Sequence, residues 1–227
     1  MGRRIFALIA GLVIAMSARA GLESITSLDA ASGLREALAS GAQYAVDSLG
    51  RQDGFFGNSK VKIPLPESAQ KAEKVLRQLG MGRQADELIL TINRAAEAAM
   101  PEAKVLLVDA VRKMSLQDAK GILTGGADSA TQFFKRTSGE QIRAKFLPIV
   151  QKATAKVKLA QKYDEYAGKG VQLGLLRKED ANLDSYVAQK ALDGLFVMVA
   201  EQEAKIRQNP AQAASEIVKK VFGALQR

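Results

Sequence analysis

A helical rhythm broken by well-marked stops constrains this chain more than any other feature. Leu34, Leu38, Ala42, Ala45 and Leu49 recur at spacings of three and four, which lines them up on one side of a helix. The pattern predicts a helix over about Asp29 to Leu49, ended by Gly50. Pro66 is an acceptable first helical residue and opens a second helix to Leu79, where Gly80 stops it. Met81-Gly82 then forms a tight joint into a third, starting near Arg83. Ser115-Leu116-Gln117-Asp118 has the form of a capping box, opening a short helix closed by Gly125-Gly126. Asp128 is expected to cap the next turns, and Ser138-Gly139-Glu140-Gln141 to start a long helix that carries Pro148. Leu183 to Gln208 reads as one further long helix, and Asn209-Pro210-Ala211-Gln212 opens a terminal one to about Leu225. Strand signals are almost nil. The fold expected is all-α, a single multi-helix bundle or array of about seven to nine helices.

Arg51 to Leu65 breaks this rhythm with fifteen residues of neither helical nor convincing strand pattern. Irregular loops this long inside a compact domain are usually functional or disordered. Phe55, Phe56 and several aliphatic side chains argue against disorder. The alternation Lys60, Val61, Lys62, Ile63 predicts an extended strip with one face buried, leaving through Pro64 and Pro66.

At the N-terminus, Arg3 and Arg4 precede twelve residues, Ile5 to Met16, with no charged side chain, followed by Ser17-Ala18-Arg19-Ala20. A charged start, a short apolar middle and an Ala-x-Ala end are the pattern of a secretory signal. The run is shorter than the roughly 20 residues needed to span a bilayer. Residues 1–20 are therefore expected to be a cleaved signal peptide, 21–227 a single mature helical domain, and the periplasm its home. The chain has no cysteine, so neither a disulfide nor a lipidated cysteine is expected.

The same composition removes whole reaction classes. Without Cys or His there is no imidazole base, no Ser-His or Cys-His pair and no His or Cys ligand for zinc. No metal and no cofactor are expected. The formal charge is +9, from 33 basic and 24 acidic residues. Removing Arg3, Arg4 and Arg19 with the signal leaves 30 against 24, or +6. A solubilising charge explains that excess, and nucleic acid is not an expected partner in the periplasm. Lys152, Lys156, Lys158 and Lys162, followed by Tyr163 and Tyr166, form a basic stretch. It reads first as a solvated face and second as a dock for anionic lipid.

Two polar groupings stand out on the helices. Asn93, Arg94 and Glu97 share one side of the third helix. Pro101, four residues past Glu97, deprives the Glu97 carbonyl of its helical partner. The residues would then form either a polar pocket or a structural Arg-Glu pair with a new helix starting at Pro101. Asp193 is the only ionisable residue between Ala191 and Ala200, so a buried carboxylate is expected there. It would be paired across helices, with Arg94 the expected partner. Asp109 with Lys113, Glu201 with Lys205 and Glu203 with Arg207 read as solvated i,i+4 pairs.

Asp53-Gly54-Phe55-Phe56-Gly57-Asn58, the Lys62-Ile63-Pro64-Leu65-Pro66 stretch, Asn93-Arg94-Ala95-Ala96-Glu97 and Ala191-Leu192-Asp193-Gly194-Leu195-Phe196 together resemble an uncharacterised family of exported bacterial proteins, known only as a domain of unknown function. The resemblance implies an exported, mostly helical single domain and carries no catalytic residues across. Asn93, Arg94, Glu97, Asp193, Phe55 and Phe56 are the candidate ligand-binding residues. Three functions compete. The first is a binding module for an apolar or amphipathic ligand or a peptide. The second is a structural or interaction protein of the cell envelope. The third is a carboxylate enzyme using Glu97 and Asp193 on cell-wall glycan.

Overall fold

A computed structural model describes residues 26–78, 80, 82–157, 160–163, 182–210 and 216–224. The expected signal at 1–20, together with Lys158, Tyr166 and residues 211–215, lies outside the described residues. Among the described residues there are seven helices: α1 (Ser27–Gly50), α2 (Glu67–Gln78), α3 (Gly82–Lys113), α4 (Leu116–Thr124), α5 (Ser129–Thr154), α6 (Leu183–Gln208) and α7 (Glu216–Ala224). The fold is all-α. No helix of the described residues is long and apolar enough to cross a membrane.

Four long helices close into a ring around one core. α1 packs on α3, α3 on α5, α5 on α6 and α6 back on α1. α4 bridges α1 and α5, α7 lies on α1, and α2 rests on α3. The α1 row read from the sequence, Leu34 to Leu49, is buried throughout. It meets Ile92, Ala96, Met100 and Leu107 of α3, Phe134, Ile142, Phe146 and Val150 of α5, and Val187, Ala191 and Leu195 of α6 in one apolar cluster. The alanines let helix backbones approach closely, and burial of the larger side chains drives the assembly.

Two helices carry the capping boxes that set their starts. Thr26 accepts from the Asp29 backbone N–H, while the Asp29 carboxylate accepts from the Thr26 N–H. Ser115 and Asp118 repeat this at α4. Hydrogen bonds from the Ser115 hydroxyl first, and the Ser115 backbone N–H second, hold the Asp118 carboxyl below its ordinary range. A carboxyl depressed in the folded state gives stability that is present above its unfolded pKa and lost as pH falls through its folded pKa. Thermal melts should therefore separate wild type from Asp118→Asn at neutral pH, with the gap closing below about pH 4. A gap that persisted or widened in acid would contradict the assignment. Ser115→Ala should cost about 0.5–2 kcal/mol at neutral pH by the same melts.

α5 departs from the expectation. Ser138 does not start a helix: it is buried in the middle of α5, which begins nine residues earlier at Ser129. Nor does Asp128 supply a side-chain cap, since its carboxylate accepts from the Gln132 amide. The cap comes from α6. Glu203 accepts from the backbone N–H groups of Ala130 and Thr131, each at 2.9 Å, and from the Thr131 hydroxyl. Arg207 closes the arrangement with bonds to Glu203, the Ile122 carbonyl and the Ser129 hydroxyl. In the Glu203–Arg207 pair the carboxylate is thus buried and the guanidinium half-buried, where a solvated pair was expected. A carboxylate at a helix N-terminus satisfies orphan amides and opposes the helix dipole, and Thr131 gives it a third donor. Of the other i,i+4 pairs, Asp109–Lys113 is the surface bridge expected, whereas Glu201 is bridged by Lys60 at 2.5 Å. α3 runs unbroken through Pro101.

Candidate functional site

The irregular segment 51–65 is held against α3 by the residues that stood out in the sequence. Asp53 sits in the left-handed region at φ 64°, a conformation Asp tolerates better than most residues. The next residue, Gly54, packs so tightly that a Cβ there would overlap the Leu49 carbonyl. This turn delivers Phe55 and Phe56 to Glu97, whose Oε1 accepts from both backbone N–H groups at 3.1 and 3.2 Å. Its Oε2 receives the Arg94 guanidinium at 2.6 Å, and Arg94 reaches on to Asp53 at 2.7 Å. Hydrogen bonds to Glu97 first, and Asp53 second, raise the Arg94 guanidinium above its ordinary range.

One turn earlier, Asn93 acts as a substitute strand. Its side-chain carbonyl accepts from the Ile63 N–H at 2.9 Å and its amide donates to the Ile63 carbonyl at 2.8 Å and to the Ile89 carbonyl. A fully buried amide with three partners satisfies both itself and the irregular backbone beside it. Burial along the strip alternates as read, Val61 and Ile63 buried and Lys60 and Lys62 exposed, but the expected extended conformation gives way to a turn at residues 59–61, where the Val61 and Lys62 N–H groups donate to the Asn58 carbonyl. Phe55 is 0% exposed and sits against Gly194 of α6, where a Cβ would lie 2.7 Å from its ring. Gly194→Ala should force the ring or the helix to move, costing about 1–3 kcal/mol by overpacking. A denaturant midpoint equal to wild type would show that the loop yields freely.

Asp193 is the correction. It is exposed, accepts from Gln189 and lies near Lys190. Arg94 is engaged by Glu97 and Asp53 instead. The run Ala191–Ala200 is not buried on every side: Asp193 and Val197, in line with Gln189 and Lys190 just before it, form an exposed strip, and the apolar Val197 gives that strip the look of core. Glu97 and Asp193 therefore have separate partners, one in a buried clamp and one at the surface.

A cleft of about 640 Å³ opens beside the clamp, between the loop, α2 and the start of α3. Phe56, Pro64, Leu65 and Ile89 supply apolar lining, and Ser59, Lys62, Gln70 and Lys74 supply polar groups. The Lys62 ammonium lies 4.1 Å from the centre of the half-buried Phe56 ring, within cation–π range. Arg77 bridges Glu73 and Asp86 on the same cleft and, mainly by its hydrogen bond, lowers the Asp86 carboxyl. Of the six candidate residues, Phe56 is the one that lines this cleft. Lys62 is read from the sequence only as the exposed side of the strip, and Lys74 and Ile89 carry no signal there; their shared site arises from how α2 folds back on α3. A second, more polar cleft of about 340 Å³ lies by Tyr44, Ser48, Arg51 and Asn58. Among the described residues no group of three or more Asp or Glu side chains is placed to hold a metal ion.

Residues 24–223 match a family described as "protein of unknown function (DUF4197)". The chain belongs to the DUF4197 family. No curated protein and no solved structure matches it. In this DUF4197 member, then, the clamp and cleft carry the functional argument unaided.

Proposed function

We propose that this chain is an exported helical binding module that holds an amphipathic small molecule or peptide in the cleft beside the 51–65 loop. The single observation carrying this reading is the cleft itself, about 640 Å³, where Phe56, Pro64, Leu65 and Ile89 form an apolar wall opposite seven polar or charged side chains, a pairing that suits an amphipathic ligand. Phe56 offers an aromatic face, and Lys62 and Lys74 offer cations to an acidic end. Titration with a dansylated fatty acid tests it. Wild type should bind, and Phe56→Ala should bind at least about tenfold more weakly, or 1.4 kcal/mol, because the ring is lost while the backbone bonds to Glu97 remain. No binding by wild type, or equal binding by the variant, would refute the cleft.

Export rests on residues 1–20, whose charged, apolar and Ala-x-Ala segments follow the secretory order. Fractionation of cells followed by intact mass should find a mature chain beginning at Gly21 in the periplasm. A full-length chain confined to the cytoplasm would overturn this part.

A second reading, an envelope interaction protein with no ligand pocket, draws on the clamp: Asn93, Glu97 and Phe55 are fully engaged in holding the loop. A pull-down that recovers an envelope protein, with no small molecule co-purifying, would favour it over the cleft.

A further inference from the structure

The second half of α5 and the turn after it carry charged side chains of one sign along the sequence. From Gln141 to Tyr163 the chain has six basic residues, Arg143, Lys145, Lys152, Lys156, Lys158 and Lys162, and no Asp or Glu. Ile142, Phe146 and Val150 turn the same stretch of α5 into the core. Lys145, Lys152 and Lys156 are exposed: Lys145 and Lys152, seven apart on α5, lie within roughly 20° of one another around its axis and about 10 Å apart along it, and Lys156 follows in the turn just past the helix end. Arg143 is occupied by Glu140 at 3.1 Å. Among the described residues, none of the three lysines has a carboxylate within ion-pair distance. At this end Asp184 of α6 takes the Thr154 hydroxyl at 2.5 Å. Favourable interaction with the helix C-terminus accounts for Lys152 and Lys156. It does not account for Lys145, two turns earlier, or for an acid-free stretch of this length.

We propose that the row Lys145, Lys152 and Lys156 docks the protein on an anionic membrane surface. Lysines in a row are compact point charges that each gain from an anionic leaflet without needing a shaped partner. Among the described residues the row presents Gln141 and Pro148 beside the lysines, and Tyr163, the aromatic that ends the stretch, packs against the core instead of forming the open platform that stacks single-stranded nucleic acid. The inference is independent of the cleft and survives if the cleft binds nothing.

Co-sedimentation with vesicles of phosphatidylglycerol and phosphatidylcholine, against phosphatidylcholine alone, is the test. Wild type should pellet with the anionic vesicles and be released near 1 M salt, where the Debye length is about 3 Å. The triple variant Lys145→Gln/Lys152→Gln/Lys156→Gln should lose about fivefold per lysine, about a hundredfold in all, with an unchanged melting temperature. Lys104→Gln/Lys113→Gln/Lys120→Gln removes the same charge from exposed sites on α3 and α4 and should retain binding. Equal losses in the two triples would reduce the effect to net charge and overturn the docking face. So would wild-type binding to neutral vesicles, or binding to dextran sulfate without binding to anionic vesicles.

Discussion

Phe55→Ala should lower stability by about 3–5 kcal/mol, the largest effect expected of any single side chain in the 51–65 segment. The ring is completely buried and fills the space that Gly194 leaves on α6, with Val61 also lying against that glycine. Removing it leaves a cavity that α6 cannot collapse into, because α1 and α5 hold α6 in place on its other contacts. Phe55→Leu keeps most of the volume and should cost less than about 1.5 kcal/mol. Denaturant melts give the global value, and limited trypsin digestion gives the local one. Arg51, Lys60 and Lys62 flank the plug, so cleavage there should accelerate in the alanine variant before the core melts. A loss under about 1 kcal/mol, with unchanged digestion, would mean the ring is not what anchors the loop.

Glu97→Ala should cost about 3 kcal/mol, by a different mechanism. It strips the acceptor from two backbone amides, one of them buried, and each orphaned buried donor costs about 1–3 kcal/mol. It also leaves Arg94 with Asp53 alone. Glu97→Gln keeps a carbonyl acceptor and should recover part of the loss. If glutamine and alanine were equally damaging, the charge pairing with Arg94 would dominate. If neither mattered, the loop would be held by Phe55 and Asn93 without Glu97. Melting temperatures of the two variants beside Arg94→Ala separate these outcomes.

How far the sequence reveals these arrangements depends on whether the relevant contact is local. Helix starts set by residues three apart, such as Ser115 with Asp118, are legible because donor and acceptor lie within one turn. The buried row from Leu34 to Leu49 and the span of α6 are legible for the same reason: periodicity is a local property. Asn93 and Glu97 stood out as odd polar groups on a helix face, but what they hold, the backbone of Ile63, Phe55 and Phe56, lies 30 to 42 positions away. Their role could be suspected and not specified. Glu203 was misread because Arg207 at i+4 offered a sufficient local partner, while its other partners sit 72 and 73 positions earlier. Asp193 failed in the opposite direction: apolar neighbours suggested burial, and Val197 turned out to share its exposed face. The cleft was invisible, since Ile89, Lys74 and Phe56 become neighbours only when α2 settles on α3.

The cap that Glu203 provides has a consequence in time. α5 is made well before α6, so its first turn emerges with amides that nothing nearby in the chain satisfies. The socket for Phe55 is missing over the same interval, because Gly194 is also on α6. A chain ending before Leu183 should thus hold helical segments without a closed ring, and addition of α6 should lock loop and α5 together in one cooperative step. Late arrival of one helix makes the order of synthesis a brake on premature folding.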